Sequence, residues 1–213
     1  MMHPNTELRL INEQMGYGVF ANRFIPKGSI VYVRDQLDQA FAPDDPMLSD
    51  PRYADHLEKY TYTEPTGTRV LCWDIGKYVN HCCHPSTLTT GYGFELALRD
   101  LWPGDELTDD HAIFNCSVPI PLICEKANCR GMLVPGDFDA HVPSWDVRIR
   151  EALPRTLKVE QPLWGLLPTD VVDDLRSYLD TGEGYRSIAT QKAQPAEQNI
   201  PLNGHPTRRR QGA

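Results

Sequence analysis

The sequence predicts a mainly β fold with short helices and a C-terminal helical extension. Three observations carry that prediction. Short apolar runs are broken at close intervals by Gly, Pro, Asn and Asp through the first half of the chain. Phe94-Glu95-Leu96-Ala97-Leu98-Arg99 alternates in the two-residue rhythm of a strand, and helical spacing of apolar residues emerges only after Cys129. The length of 213 residues suits one domain with appendages, and 40% hydrophobic with 23% charged residues is an ordinary globular composition.

The elements follow in order. Leu8-Arg9-Leu10-Ile11 reads as a strand, Gly16-Tyr17-Gly18 as a tight turn, and Val19-Phe20-Ala21 as the start of a second strand. Ile25-Pro26-Lys27-Gly28 turns the chain into a strand from Ser29 to Val33. Residues 41–65 carry four prolines and many acids, and predict an irregular insert with one helix near Tyr53 to Tyr60. Thr68 to Asp74 is a strand. The alternating run at 94–99 is another, and Trp102-Pro103-Gly104-Asp105 turns it into a further strand that ends in charged groups. Trp145 to Leu153 predicts a helix capped by Ser144. A clearer helix starts at Thr169, its expected N-cap, with Val171, Val172, Leu175, Tyr178 and Leu179 as the apolar stripe and Gly182 as the stop. From about residue 190 the chain has little to bury and reads as a disordered tail. The units expected are thus 6–133, a helical extension 134–189, and the tail 190–213.

The net charge is −8, which argues against direct nucleic-acid binding through phosphates. From residue 190 onward four cations face one acid, a net of +3, so the body carries −11. Such a body suits a cationic partner reached by long-range attraction. No apolar run approaches the length of a membrane span, and no basic region followed by an apolar stretch opens the chain, so no membrane association and a cytoplasmic location are expected. Six cysteines in that setting point to thiols or metal rather than disulfides.

Four segments carry chemistry. Gly16-Tyr17-Gly18 allows close backbone approach to a ligand, or is a plain hairpin turn; Ala21 and the absence of a following helix exclude the dinucleotide fingerprint. Tyr78-Val79-Asn80-His81-Cys82-Cys83-His84-Pro85 is a dense polar cluster after an apolar strand, read as a metal-binding loop or a chance grouping. Glu106-Leu107-Thr108-Asp109-Asp110-His111 closes a hairpin at an acidic, solvated end. Cys124 and Cys129, preceded by Cys116, look like half of a zinc site.

Taken in this order from Leu8 to Leu133, the segments resemble the SET-domain protein-lysine N-methyltransferases with their post-SET zinc motif. The resemblance implies a SET-domain fold, small curved sheets with a pseudoknot-like threading, and S-adenosyl-L-methionine as cofactor. It implies cofactor contacts from Gly16, Tyr17, Gly18, Asn80 and His81, and catalytic positions at His111 and Tyr78. Tyr78 takes the family's Phe position and Cys83 its zinc-ligand position. The first thiol of the terminal zinc motif is replaced by Leu122, so Cys116 is expected to join Cys83, Cys124 and Cys129 around one structural zinc, with Cys82 or His84 as substitutes for Cys116. The family's aromatic switch position is Asp109 and its catalytic tyrosine is His111. A neutral imidazole can accept a hydrogen bond from an amine, so His111 can stand in for the tyrosine. Tyr60 and Tyr62 are further candidates for an aromatic hydroxyl, and Asp109 and Asp110 for holding an ammonium. The implied activity is methyl transfer to a lysine-bearing protein; the alternative is a catalytically silent module that binds cofactor or a partner.

Overall fold

The computed structural model describes residues 1–124, 126 and 128–193; the tail expected from residue 190 therefore lies mostly outside the described residues. Thr6–Asn12 (β1) and Gly16–Ala21 (β2) form an antiparallel hairpin in which Arg9 faces Gly18 and Leu10 faces Tyr17. Gly16-Tyr17-Gly18 therefore begins a strand and does not close the turn. The Asn12 carboxamide closes it instead, accepting the backbone N–H groups of Gln14 and Met15 at 3.0 and 2.7 Å. Ile30–Val33 (β3) follows.

The insert is more regular than its prolines suggest. It holds Gln39–Phe41 (β4), Ala54–Tyr60 (α1) and Thr61–Thr63 (β5), and with Arg69–Leu71 (β6) between β4 and β5 it makes a three-stranded sheet. Arg69 holds the corner. Its guanidinium donates to Thr61 Oγ1, Glu58 Oε2 and the Leu57 carbonyl at 2.7–2.8 Å. Then come Asn80–His81 (β7), Thr87–Thr89 (β8), Phe94–Ala97 (β9), Glu106–Asp109 (β10), Ile120–Pro121 (β11) and Met132–Leu133 (β12). The sheets run β1-β2-β10-β7, β3-β9-β8, β4-β6-β5 and β11-β12. The fold is mostly β with few short helices, arranged as small sheets and no closed barrel. All four residues of β9 are buried because it is the central strand, so the alternation there does not separate core from solvent, and Glu95 points inward.

The extension contains Asp137–Ala152 (α2) and Thr169–Thr181 (α3). α2 starts at Asp137 rather than Trp145 and runs through Pro143; Ser144 is no cap but lies within the helix, its hydroxyl donating to the His141 carbonyl at 2.8 Å. Thr169 sits inside the first turn of α3 without a capping bond, whereas Gly182 ends it as expected, in the left-handed region at φ 76° with its N–H on the Tyr178 carbonyl. A short turn at Ile188–Gln191 carries the chain past residue 190. There the Ala193 N–H donates to Asn115 Oδ1 at 2.8 Å and Lys192 pairs with Asp139.

The larger core runs across both segments, packing Ile30, Leu88, Phe94 and Leu96 against Trp145, Ile149, Leu153, Leu175 and Ile188. A smaller one gathers Val19, Ile25, Val31, Leu101 and Leu107 under β2 and β10. Gly28, at φ +90°, lets the chain after α2 come close: a Cβ there would stand 2.6 Å from Arg155 Cβ. Gln161 ties the same contact, accepting from Ile30 N and donating to the Gly28 carbonyl, both at 2.8 Å. No described helix is long and apolar enough to cross a membrane.

Candidate active site

β10 is the strand on which the site is assembled. It pairs antiparallel with β2 through Glu106–Phe20 and Leu107–Val19, and parallel with β7 through Thr108–Asn80 and Asp109–His81. Tyr17 and Asn80, 63 residues apart, are thereby set side by side. The Asn80 carboxamide makes the bridge, donating to the Tyr17 carbonyl at 3.1 Å and to Glu106 Oε1 at 2.9 Å. A Cβ on Gly18 would lie 2.7 Å from Glu106 Oε1 and 3.0 Å from Asn80 Nδ2, so any larger residue would have to push the bridge aside. Gly16, at φ +78°, has open space where its Cβ would be. Tyr17 is exposed at 49%, and its ring meets that of Tyr78 edge-on at 5.9 Å.

Beyond Asn80 lie two imidazoles whose tautomers follow from their partners. His81 Nδ1 accepts the backbone N–H of His111 at 3.1 Å, so Nε2 carries the proton and points at Cys83 Sγ, 3.2 Å away. His111 Nε2 lies 3.1 Å from the Val79 carbonyl, which can only accept, so this nitrogen donates and the lone pair is on Nδ1. Burial holds both rings neutral. It lowers His81 to about 4, helped by the neighbouring His111, and it lowers His111 against the opposing pull of the Val79 carbonyl. Tyr78 adjoins Val79 in sequence, and His111, 32 residues further on, meets its carbonyl. Tyr60 meets the Tyr78 ring at 5.4 Å, while Tyr62 packs on Phe114 at 5.7 Å, and Phe114 packs on His111 at 5.3 Å. The Tyr62 hydroxyl is engaged by Tyr32, and burial raises its pKa above the ordinary value.

Three of the four thiols expected at a metal come together: Cys83, Cys124 and Cys129 have ligand atoms within 4.8 Å of one another. Cys116 does not join them, which corrects the expected ligand set. Asn115 in the left-handed region, φ 57°, turns the chain so that Cys116 Sγ faces the His111 carbonyl at 3.8 Å and packs on the larger core. Cys82, buried, interacts with Cys124 and is the thiol adjoining the trio, whereas His84 is exposed. Cys83 Sγ receives the Arg130 N–H at 3.3 Å besides the His81 ring, and Cys129 Sγ receives the Gly131 N–H at 3.3 Å.

The acidic end of β10 is not solvated. Asp109 and Asp110 are each 2% exposed. Asp109 is buried, and desolvation with the nearby Glu95 and Asp110 carboxylates raises it; desolvation pushes Glu95 up to about 7 against the opposing Thr87 hydroxyl. Asp110 is a hub. Its Oδ1 accepts the Ala112 N–H at 3.2 Å and an Arg130 guanidinium N–H, and its Oδ2 accepts the Trp145 indole N–H at 3.2 Å. Sequence reasoning missed Glu106, Arg130 and Trp145 as partners of this site. Glu106 had a signal in its place on the strand beside Gly18; the other two had none, because their contacts span 20 and 35 residues. A cavity of about 200 Å³ lies elsewhere, between Asn115, Cys116, Phe138 and Lys192.

Residues 16–112 match the family model of the SET domain. No curated protein matches the chain by sequence. Among solved structures it is similar to the methyltransferase domain of human histone-lysine N-methyltransferase SETMAR, at 17% identity and a TM-score of 0.41, covering 63% of this chain and 59% of that one. It is also similar to KRYPTONITE, solved in complex with mCHG DNA and SAH, at 18% identity and a TM-score of 0.45, covering 62% of this chain and 29% of that one. The chain thus spans less than two thirds of either structure.

Proposed function

We propose that this chain, which belongs to the SET-domain family, transfers a methyl group from S-adenosyl-L-methionine to lysine side chains of protein substrates. The observation that carries the reading is the Asn80 carboxamide, which joins the 16–18 strand start to β7 beside His111. The open space at Gly16 fits a bound nucleoside lying close to the backbone. When bound, the cofactor supplies an electrophilic methyl on a sulfonium, and the chain's own residues orient and desolvate.

A lysine ammonium has no lone pair and an ordinary pKa near 10.4, so it must shed a proton before its nitrogen can attack. His111 suits this step in one respect above all. With Nε2–H committed to the Val79 carbonyl, Nδ1 keeps its lone pair, and among the described residues nothing hydrogen-bonds it. A neutral, half-buried acceptor there takes an N–H of the incoming amine and aims the nitrogen lone pair away from itself. The proton that the ammonium sheds beforehand would go to solvent, and the amine held by His111 would then face the methyl that the bound cofactor would supply. The Phe114 ring packs against the imidazole and lowers the local polarity.

The trio Cys83, Cys124 and Cys129, with Cys82 as the fourth thiol, fits one structural zinc. A closed thiolate site there would tie the loop after β7 to the 124–129 segment. The substrate is read as a protein; the expectation of no direct nucleic-acid contact rests on the net charge of −8 alone.

The test is to incubate the purified chain with S-adenosyl-L-methionine carrying a labelled methyl and with cell-extract proteins, then to map the label by peptide mass spectrometry. Label on lysine is the expected result. Label nowhere, with the cofactor bound, would assign the chain to the silent binding modules instead.

A further inference from the structure

We propose that Trp145 and Arg148, on a helix outside the SET-domain match, are positioning residues for His111. The inference rests on the methyl-transfer reading, because positioning has a consequence for rate only if His111 meets the substrate. α2 reaches the continuation of both parallel strands that carry the site. From one turn the buried Trp145 indole N–H donates to Asp110 Oδ2 at 3.2 Å, just beyond β10. From the next, Arg148 Nη2 donates to the Pro85 carbonyl at 2.6 Å, at the end of the loop that follows β7. Both are anchored from behind, since Trp145 and Ile149 are part of the larger core.

Trp145 holds the turn that presents the imidazole, and Arg148 ties down the far end of the loop after β7, the strand whose His81 receives the His111 N–H. Asp110 Oδ1 accepts the Ala112 N–H and an Arg130 N–H, so the carboxylate spans the chain on either side of His111. Among the described residues the hydrogen bonds that fix the His111 backbone N–H and ring run to His81 Nδ1 and the Val79 carbonyl, both on the β7 side. Shape alone does not explain a tryptophan at 145, because a phenylalanine fills much of the same apolar space but lacks the N–H. Without that donor a buried carboxylate oxygen loses its partner and the 110–112 turn is free to shift. Reacting groups must lie within about 3–3.5 Å, so a small displacement of the imidazole costs rate and not binding.

The decisive variant is Trp145→Phe in the full chain. Its kcat for lysine methylation should fall about tenfold, while the KM for S-adenosyl-L-methionine stays within about twofold. Combined with His111→Ala, the same substitution should add nothing to the loss, because its effect runs through the imidazole. The ¹⁵N spectrum of the histidine rings provides a readout free of turnover: the His111 Nε2–H signal should be slow to exchange in the wild type and broadened in the variant. Should Trp145→Phe fail to fold, Arg148→Met is predicted to give the same pattern. An unchanged kcat and an unchanged His111 signal in a folded variant overturn the inference. If the wild type transfers no methyl at all, the methyl-transfer reading fails, and the ring spectra still decide whether α2 holds His111.

Discussion

At the scale of single residues, His111 and Glu95 carry charges that the fold has suppressed, with opposite consequences. His111 is kept neutral by burial, and its Nδ1, which takes no hydrogen bond among the described residues, is the acceptor proposed for the substrate amine. His111→Ala should lower kcat by roughly 10² or more with cofactor affinity little changed, whereas His111→Tyr should retain activity within about tenfold, both read by steady-state kinetics. Glu95, with its carboxyl pushed up to about 7 by desolvation against an ordinary 4.5, favours the folded state in its protonated form. Its contribution is fully present below about pH 4.5 and is lost as pH rises through about 7. Wild-type stability in urea should therefore fall by on the order of 2 kcal/mol from this group between pH 5 and pH 8. Glu95→Gln should remove most of that fall, leaving the remainder to Asp109. A variant with the wild-type slope would mean that Glu95 is ionised in the folded protein at pH 5.

At the scale of elements, α2 shows both what the sequence reveals and what it hides. Pro143 lies inside the helix and cannot donate to the carbonyl one turn before it. Pro143→Ala should raise stability by about 1 kcal/mol, the restored bond and better propensity outweighing the added freedom of the unfolded chain, and thermal denaturation would measure it. The same proline hides the start of α2 from the sequence, because Asp137 to His141 lies on its far side. The site segments were legible in part: Gly16, Gly18 and Asn80 sit on short local patterns whose residue types have few other uses together, but 16–18 reads locally as a turn and nothing local marks Asn80–His81 as a strand. The insert's sheet was not legible, since Arg69 assembles it through Leu57 and Glu58, which no local period connects. Nor were the burial of Asp109 and Asp110. Charged residues at a strand end read as solvated unless one knows that an indole from residue 145 and a guanidinium from residue 130 arrive to meet them.

Across the whole molecule, the SET-matched segment and the extension share one apolar core, and the proposed thiol site ties the loop after β7 to the 124–129 segment. Cys124→Ser should abolish zinc binding and lower the melting temperature, whereas Cys116→Ser should leave one zinc per chain, both measured by metal analysis and thermal denaturation. The wider claim is that the start of β2 and the Asn80–His81 pair of β7, brought together across β10, make one cofactor site. Titration calorimetry of S-adenosyl-L-methionine into the wild type and Asn80→Ala tests it most directly. The account predicts saturable one-to-one binding to the wild type, weakened at least about tenfold in the variant, which loses both hydrogen bonds of the bridge. Equal affinity in the two proteins, or no binding to the wild type, would contradict it.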